Sequence, residues 1–513
     1  MLDTLLPARW AQALALAALA WVTWNVWVYV TSPLRKYPGP FLAGWTNLWR
    51  FYHVLSLDSH HVVEDLHRRH GPVVRIGPNL LSLRDPSLVK KIYKFEDDWV
   101  KTAFYHGGSS RSWAGQVTYN IFGVSDRKEH AKIRKPIGKL YNMSNALAME
   151  EHIDRAIELL SNEIEERFID QPANNGVCEL DKWLMYFATD VVGDITFSQP
   201  FGYLASGSDF DGTLADAEVA MNYLAIVGQI PILDFLGAQN PLLKMLAKAP
   251  FTTANSIARS RMEDRLAGKD TATHYATRPD FLDGFIEARK LYPDTVDDGQ
   301  LQSYLLINLV AGADTTAITM SAIFYLLLKH PDALSRLTSE ILDANLSSDR
   351  PVSYRKALKL PYLNAVIRES MRLHPAVGMP LERHVPASGL RLPDGSVVPG
   401  GAMVGMNPYL VNRTEPFGEH VDQFKPERWL RDADESEAEF KARTAAMNDA
   451  DLTFGAGTRI CGGRHIAHVE MYKVVATLIA RYKIELVDEE KEWTVKNGWF
   501  LRVSGLDVRF QRR

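Results

Sequence analysis

The chain contains very little cysteine. Only Cys178 and Cys461 occur among its 513 residues, and they lie far apart in the sequence. Two distant cysteines argue against a disulfide framework and fit a reducing compartment. Neither has a second cysteine nearby, so CxxC redox chemistry and zinc or iron–sulfur sites built from several cysteines are excluded locally.

The chain also lacks an excess of positive charge. Its formal net charge of -4 gives no sign of nucleic-acid binding, and no nucleic-acid partner is expected.

No regular alternation of strand and helix patterns supports a Rossmann-type fold. Long helical patterns separated by short strand-like pieces instead predict a mainly α protein, with a single large helical domain and small β-sheets.

The N-terminal part lacks charge over an unusual length. Residues 10–30 contain no charged side chain and four tryptophans, which is long enough to cross a bilayer. A cleaved signal peptide is the alternative, but it needs a basic start and a shorter apolar core, whereas Asp3 precedes this run. Arg35 and Lys36 follow it and indicate a cytoplasmic catalytic domain. We therefore expect a transmembrane anchor (1–32), a Pro-rich linker (33–44) and a catalytic domain (45–513).

Residues 301–328 form a second apolar stretch, with Asp314 as its one charge. The stretch is long enough to span a membrane. A carboxylate at its middle is costly in lipid, so we expect a buried helix that crosses the core of the catalytic domain.

The most informative segment is the glycine-rich loop at residues 454–463, which contains Cys461. Gly455 and Gly457 permit left-handed backbone conformations, and a helical pattern begins after Gly463, so its dipole favours a thiolate. Such a thiolate is a nucleophile, a redox thiol or a metal ligand. A single thiolate beside Arg459 suits a haem iron, with the guanidinium on a propionate. A buried structural cysteine is the alternative.

This loop, F-G-x-G-x-R-x-C-x-G, resembles position for position the haem-binding signature of the cytochrome P-450 superfamily. The resemblance implies a haem b group whose iron takes Cys461 as its axial thiolate. It also implies that Phe454, Gly457, Arg459 and Gly463 surround the cofactor. A narrower similarity is to microsomal enzymes of filamentous fungi, loosely those near pisatin demethylase, and it implies the endoplasmic reticulum membrane.

Glu369 and Arg372 stand at i, i+3 in an otherwise apolar helical pattern. An exposed pair of this kind contributes well under ~1 kcal/mol. The apolar surroundings favour burial, and a buried pair needs further partners. Arg428, in Pro-Glu-Arg-Trp, is the candidate. This arrangement resembles the superfamily's structural triad, which implies that Glu369, Arg372 and Arg428 hold the proximal side of the haem pocket.

The segment Ala311-Gly312-Ala313-Asp314-Thr315-Thr316 resembles the family's distal helix motif. Gly312 removes a side chain where a flat cofactor or dioxygen approaches. The Thr315 hydroxyl is able to bond to the carbonyl four residues earlier. Asp314 and Thr315 form an acid–alcohol pair suited to proton delivery during oxygen activation, so both are predicted to be catalytic.

Further basic residues resemble the family's cationic contacts to the haem propionates. They are His130, Arg134 and Arg383, although each of them alone is better explained as a surface cation. The same basic segment carries Lys128, Lys132, Lys135 and Lys139. We hypothesise that these lysines dock an acidic flavoprotein reductase. A solvated basic face is the alternative.

The resemblance implies a monooxygenase that takes electrons from NADPH through a separate reductase, or from a cytochrome b-type donor, and oxidises a small hydrophobic substrate. Secondary-metabolite biosynthesis is the first expectation, and catabolism or detoxification of an aromatic acid or xenobiotic is the second. A reductase-independent isomerase or dehydratase and a non-catalytic haem sensor stay open. By resemblance, the substrate pocket draws on Trp113, Val117, Phe122, Leu305, Ala311, Val377, Trp499 and Phe500.

Overall fold

Helices form most of the protein, as the sequence patterns predict. The computed structural model describes residues 2–94, 98–108, 110–111, 117–118, 120–170, 172–236, 251–274, 278–346 and 349–513, and the structural statements below concern these residues. The α-helices are α1 Leu2–Thr31, α2 Phe41–Trp45, α3 Leu48–Leu55, α4 Ser59–His70, α5 Val89–Ile92, α6 Arg127–Arg134, α7 Met143–Ala148, α8 Glu150–Ile164, α9 Leu180–Phe197, α10 Tyr203–Ser206 and α11 Thr213–Val227. They continue with α12 Ile232–Leu236, α13 Thr252–Leu266, α14 Phe281–Leu291, α15 Asp298–Leu328, α16 Pro331–Asp343, α17 Tyr354–Ala357, α18 Pro361–Leu373, α19 Pro408–Val411, α20 Glu437–Ala450 and α21 Arg464–Arg481.

Short strands form several small sheets. They are β1 Val73–Gly77, β2 Leu80–Leu83, β3 Ser110–Arg111, β4 Val117–Thr118, β5 Cys178–Glu179, β6 Arg383–His384, β7 Leu390–Arg391, β8 Val397–Val398, β9 Met403–Met406, β10 Tyr482–Leu486, β11 Thr494–Gly498, β12 Phe500–Ser504 and β13 Asp507–Arg512. A four-stranded sheet has the order β1-β2-β9-β6, and a three-stranded sheet has the order β10-β13-β5. The pairs β3–β4, β7–β8 and β11–β12 are separate hairpins. The predicted mainly α fold with small sheets is confirmed.

Helix α15 crosses the core. It packs against α9, α18 and α21, and the second half of the helix is almost entirely buried. In the part of the chain that the structure describes, α15 is the helix long and apolar enough to cross a membrane, yet most of its apolar window lies inside the protein. The prediction of a buried core helix is confirmed, because protein side chains already cover its apolar surface.

The N-terminal helix α1 stands apart from this core. Its C-terminal half is apolar, and many of its large side chains are exposed. These are Leu16, Leu19, Trp21, Val22, Trp24, Trp27 and Val30. Near its end the ring of Tyr29 stacks on Trp45 of α2, with 5.2 Å between the centroids. The helix therefore contacts the folded body at its C-terminal end.

Residues 33–44, predicted to be a linker, pack onto the body of the protein. Leu34 is fully buried, and the Arg75 amide on β1 donates to the Pro38 carbonyl at 2.7 Å. A Cβ on Gly39 would lie only 2.1 Å from the Arg75 carbonyl oxygen, so the close approach requires glycine. The segment after α1 is consequently held in one path along β1.

Candidate functional site

The cysteine loop is a closed turn whose shape depends on its glycines. Gly455 and Gly457 have φ of 68° and 65°, in the left-handed region that favours glycine. A Cβ on Gly457 would lie 2.5 Å from the Lys94 carbonyl oxygen, so this glycine allows the loop to pack against the chain just beyond α5. The Cys461 amide donates to the Phe454 carbonyl at 2.9 Å and closes the loop.

The Cys461 thiol is accessible although it lies deep among protein atoms. The residue has an exposed surface, yet burial raises the pKa of the thiol above its ordinary value, against the lowering effect of the Gly463 amide and the Arg464 charge. Burial outweighs the amides of Gly463 and Arg464 at the start of α21, although these amides lower the pKa of the thiol in the direction expected for a helix N-terminus. A coordinated metal cation removes this proton.

A buried network anchors the segment that precedes the loop. The Arg372 guanidinium binds the Glu369 carboxylate through two hydrogen bonds of 2.8 Å, and Arg428 Nε donates to the same carboxylate at 3.1 Å. The Trp429 indole N–H (2.9 Å) and the Lys425 amide (3.0 Å) complete its shell. Glu369 is 0 % exposed. Burial by itself raises the pKa of Glu369, but Arg372, Arg428 and the Lys425 amide outweigh it, so the pKa lies below its ordinary value.

Asn412 connects this network to the cysteine loop. Arg372 Nη1 donates to its backbone carbonyl at 2.9 Å. Its side-chain oxygen accepts from the Leu452 amide at 3.0 Å, and its side-chain nitrogen donates to Thr453 Oγ1 at 3.1 Å. Asn412 is 0 % exposed. The carboxylate at Glu369 is thus linked, through Arg372 and Asn412, to the residues immediately before Phe454.

Helix α15 faces the cysteine loop from the other side of the site. The two are joined by Tyr141, whose ring lies against Gly462 and whose hydroxyl donates to the Asn308 side chain at 2.7 Å. One turn further along α15, Ala311 is exposed, whereas its neighbours on the helix are half-buried or buried. The Thr315 hydroxyl donates to the Ala311 carbonyl at 2.8 Å, as the sequence predicts. The described chain therefore leaves the Ala311 side of this turn uncovered.

Two residues of the distal motif have surroundings that the sequence does not indicate. A Cβ on Gly312 would lie 2.9 Å from Val192 on α9, so this glycine permits close helix packing, not the approach of a cofactor. The Asp314 carboxylate is ion-paired with Arg502 on β12, and Arg502 also lies 3.5 Å from Glu218. Burial raises the pKa of Asp314, although Arg502 opposes this effect.

The basic residues predicted around the cofactor gather beside the loop. Arg134 Nη1 donates to the Thr458 carbonyl at 2.6 Å, and Arg459 Nη2 donates to the Ser125 carbonyl at 3.1 Å. Arg383, on β6, is buried. His130 is not a cation at neutral pH, because burial and the charges of Arg459, Arg134 and Lys101 lower its pKa to about 3.

The predicted pocket residues are brought together only in part. Phe122 lies edge-on to Trp499 with 5.6 Å between the ring centroids, and Val377 pairs with Phe500 across a β-bridge. These residues share an apolar cluster with Phe104, Tyr105, Met379 and Val310 on α15. Leu305 instead lies fully buried in the main core, because it is on another face of α15. Val117 lies on β4, and Trp113 lies outside the described residues.

The sequence did not single out Tyr141, Tyr105 or Arg502. Each acquires its place through contacts with distant parts of the chain: Tyr141 with Asn308, Tyr105 with Trp499, and Arg502 with Asp314. The spacing of residues within a short segment does not indicate such contacts. An aromatic residue or arginine in a loop or edge strand has the same appearance whether it faces a pocket or solvent.

The arrangement fits a haem group. The cysteine loop exposes a thiol and α15 exposes the small residue Ala311, and Tyr141 links the loop to α15 one turn from Ala311. Arg134 and Arg383 form no ion pair with a carboxylate in the described parts of the chain, so they are available for propionates. When bound, haem supplies a thiolate-ligated iron that activates dioxygen.

Comparison with known proteins agrees with this geometry. A family model described as cytochrome P-450 matches residues 42–508. Cytochrome P-450 monooxygenase cfoH of Aspergillus candidus is 41 % identical over 500 residues, covering 97 % of this chain and 92 % of that protein. A cytochrome P-450 monooxygenase of Aspergillus terreus is 39 % identical over 472 residues (90 % and 93 %), and cicH of Emericella nidulans is 36 % identical over 485 residues (94 % of each). The chain therefore belongs to the cytochrome P-450 family of oxygen-incorporating, cysteine-ligated haem oxidoreductases.

Proposed function

We propose that this protein is a membrane-anchored monooxygenase that takes electrons from NADPH through a separate flavoprotein reductase and oxygenates a small lipophilic substrate. The observation that carries the proposal is the accessible Cys461 thiol opposite the Ala311–Thr315 turn. A thiol ligand on one side and an acid–alcohol pair on the other are the groups that oxygen activation needs. A reductase-independent isomerase has no use for the acid–alcohol pair.

Thr315 and Asp314 have separate roles in moving protons. The Thr315 hydroxyl donates its hydrogen to the Ala311 carbonyl. The hydroxyl oxygen is therefore able to accept a hydrogen bond inside the site. Asp314 is held by Arg502, and Glu218 offers Arg502 a second carboxylate. When Asp314 turns toward Thr315, Arg502 keeps a partner, so the carboxylate is able to exchange protons between the exterior and the site.

Replacing Thr315 by alanine tests this proposal. We expect the variant to keep haem and to consume NADPH at a comparable rate, while the fraction of electrons that reaches product falls about tenfold or more. Thr319→Ala is the matched control, because Thr319 makes the same bond one turn later, to the Thr315 carbonyl at 2.8 Å. The measurement compares NADPH oxidised with product and hydrogen peroxide formed. Unchanged coupling in Thr315→Ala would contradict the proposed role.

The anchor is proposed to be α1. Its exposed leucines, valines and tryptophans form a surface that water solvates poorly, and the helix joins the body through Tyr29. Deleting residues 1–31 is expected to move the protein from carbonate-resistant membranes of the endoplasmic reticulum to the extractable fraction, as judged by fractionation and immunoblotting. Haem content should be retained, since Cys461 and α15 are untouched. A truncated protein that still resists carbonate extraction would show that α1 is not the anchor.

Electron delivery is proposed to occur beside the cysteine loop. Lys128 and Lys132 are exposed on α6, and Lys135 and Lys139 are exposed just beyond it. Arg134, on the same helix, bonds to the loop itself. An acidic reductase that docks on these lysines would therefore lie close to Cys461, steered by opposite charge. A cytochrome b-type donor fits the same surface.

The substrate is proposed to be a small hydrophobic metabolite, most simply an intermediate of secondary metabolism. The aromatic and aliphatic cluster around Phe104, Phe122 and Trp499 supports an apolar ligand. Similarity to fungal monooxygenases supports the same class of activity. A microsomal assay with reductase against a metabolite panel, including aromatic acids, tests it by spectral shift and oxygenated product.

A further inference from the structure

Two adjacent histidines and an aspartate lie together where α4 begins. Asp58 immediately precedes the helix, and His60 and His61 belong to its first turn. The ring centroids of the two histidines are 4.1 Å apart. Asp58 Oδ1 lies 3.9 Å from His60 Nδ1 and 4.0 Å from His61 Nε2. One nitrogen of each ring and one carboxylate oxygen are within 4.8 Å of one another, so three potential metal ligands are grouped here.

The His60 ring is buried without a partner for one of its nitrogens. The residue is 1 % exposed, and its Nδ1 atom has no hydrogen-bond partner in the part of the chain that the structure describes. The Asp58 carboxylate, at 3.9 Å, is too far away to serve as one. Tyr409 packs edge-on against the ring, with 5.0 Å between the centroids, and so fixes its orientation. A buried polar atom without a partner is costly, so this nitrogen indicates a bound ligand.

Asp58 and His61 are able to move toward His60. Their side chains are 56 % and 53 % exposed. Asp58 stands at the N-cap position, where aspartate commonly accepts from helix amides, yet its side chain makes no capping bond within the described chain. Glu64 Oε2 lies 3.6 Å from His61 Nδ1, and a carboxylate beside the second ring nitrogen orients a ligating histidine. The two carboxylates also offset the helix dipole, which opposes a cation at this end of α4.

We propose that Asp58, His60 and His61 bind a zinc ion, with water in the fourth position. Two imidazoles and a carboxylate are ligands that zinc takes in proteins, at bond lengths of about 2.0–2.2 Å. Tetrahedral bonds of that length place the ligand atoms about 3.3 Å apart, so small rotations of the exposed Asp58 and His61 side chains complete the site. Calcium and magnesium are disfavoured, because both prefer oxygen ligands.

The proposed site adjoins the hairpin β11–β12. The Asn497 amide on β11 donates to the Leu57 carbonyl at 2.7 Å, and the Asn497 side chain donates to Ser59 Oγ at 3.4 Å. The turn of the same hairpin carries Trp499, which belongs to the apolar cluster. A zinc ion that joins Asp58 to α4 therefore stabilises the segment on which this hairpin rests, and zinc is expected to raise the unfolding temperature of the protein.

Zinc binding by the holoenzyme, prepared without a histidine tag and dialysed against a chelator, tests the proposal. Equilibrium dialysis with zinc chloride is expected to show one more bound zinc ion per chain in the wild type than in the double variant Asp58→Asn/His61→Ala. Each single variant should weaken binding at least about tenfold, since even the loss of a group that only orients a ligand costs about 10–100-fold. His70→Ala, at an exposed position at the other end of α4, is the matched control and should bind zinc as the wild type does.

Equal zinc content in the wild type and the double variant would overturn the proposal, and so would weakening by only one of the two single substitutions. The carbon monoxide difference spectrum shows whether each variant keeps an intact haem site. If a variant does not, crystals of the wild-type holoenzyme soaked in zinc decide the question. The proposal requires an anomalous zinc peak about 2.0–2.1 Å from His60 Nδ1, and the absence of a peak there overturns it.

Discussion

Replacing Cys461 by alanine is expected to abolish thiolate-ligated haem and to reduce turnover below detection. The cysteine loop brings one accessible sulfur to the site, and an alanine methyl group cannot coordinate iron. The glycine turn and the bond from residue 461 to the Phe454 carbonyl use only the backbone, so the fold should survive. The measurements are the carbon monoxide difference spectrum, haem content and product formation.

Cys178→Ala is the matched control for this experiment. Cys178 is the other cysteine of the chain and is fully buried on β5. Burial raises the pKa of its thiol well above the ordinary range, so it is an inert core residue. The variant should lose some stability and keep a normal thiolate spectrum. A normal thiolate spectrum in Cys461→Ala would refute the assignment of the whole site.

Glu369→Gln is expected to lower the free energy of unfolding by about 3–5 kcal/mol, the range for leaving a buried charge without its partner. The change removes the negative charge that Arg372 and Arg428 share, while glutamine keeps the size of the side chain. Haem retention should fall together with stability, because Asn412 connects Arg372 to the residues that precede the cysteine loop. Urea unfolding followed by circular dichroism and haem absorbance measures both effects.

Glu263→Gln provides the comparison, since the Arg259–Glu263 ion pair has a similar distance of 2.8 Å but is exposed. Exposed pairs contribute little because water screens them, so this variant should unfold at the same urea concentration as the wild type. An equally small effect of Glu369→Gln would show that the buried network does not hold the loop.

Because the Glu369 carboxylate titrates, its contribution to the stability of the protein should change with pH in a definite direction. The pKa of Glu369 in the folded protein lies below its ordinary value of 4.5, so its ionised form stabilises the folded state at any pH above that value. This contribution disappears as the pH falls through the folded pKa. The stability difference between wild type and Glu369→Gln should therefore be constant near neutral pH and should narrow in acid below about pH 4.5.

Several elements were predictable because their signal is local. The hairpin β1–β2 follows two apolar runs around Gly77-Pro78-Asn79, and the burial of α15 follows from a carboxylate in the middle of an apolar run. Other features depend on partners that lie far away in the chain. Gly312 is small because Val192 packs on it, and Leu305 faces the core because of the orientation of α15. The periodicity of the α15 sequence alone does not show which face of the helix lines the pocket.

The sequence by itself indicated the family, the sulfur ligand and the candidate site residues Asp314, Thr315 and Glu369, because short motifs place the groups that the chemistry requires at fixed spacing. Only the tertiary structure decided what surrounds them. It placed Arg502 on Asp314, Asn412 between Arg372 and the loop, and Lys101 beside Arg383. The physical reason is that burial and charge balance are set by the sum of contacts in three dimensions, and most of these contacts join segments that are remote in sequence.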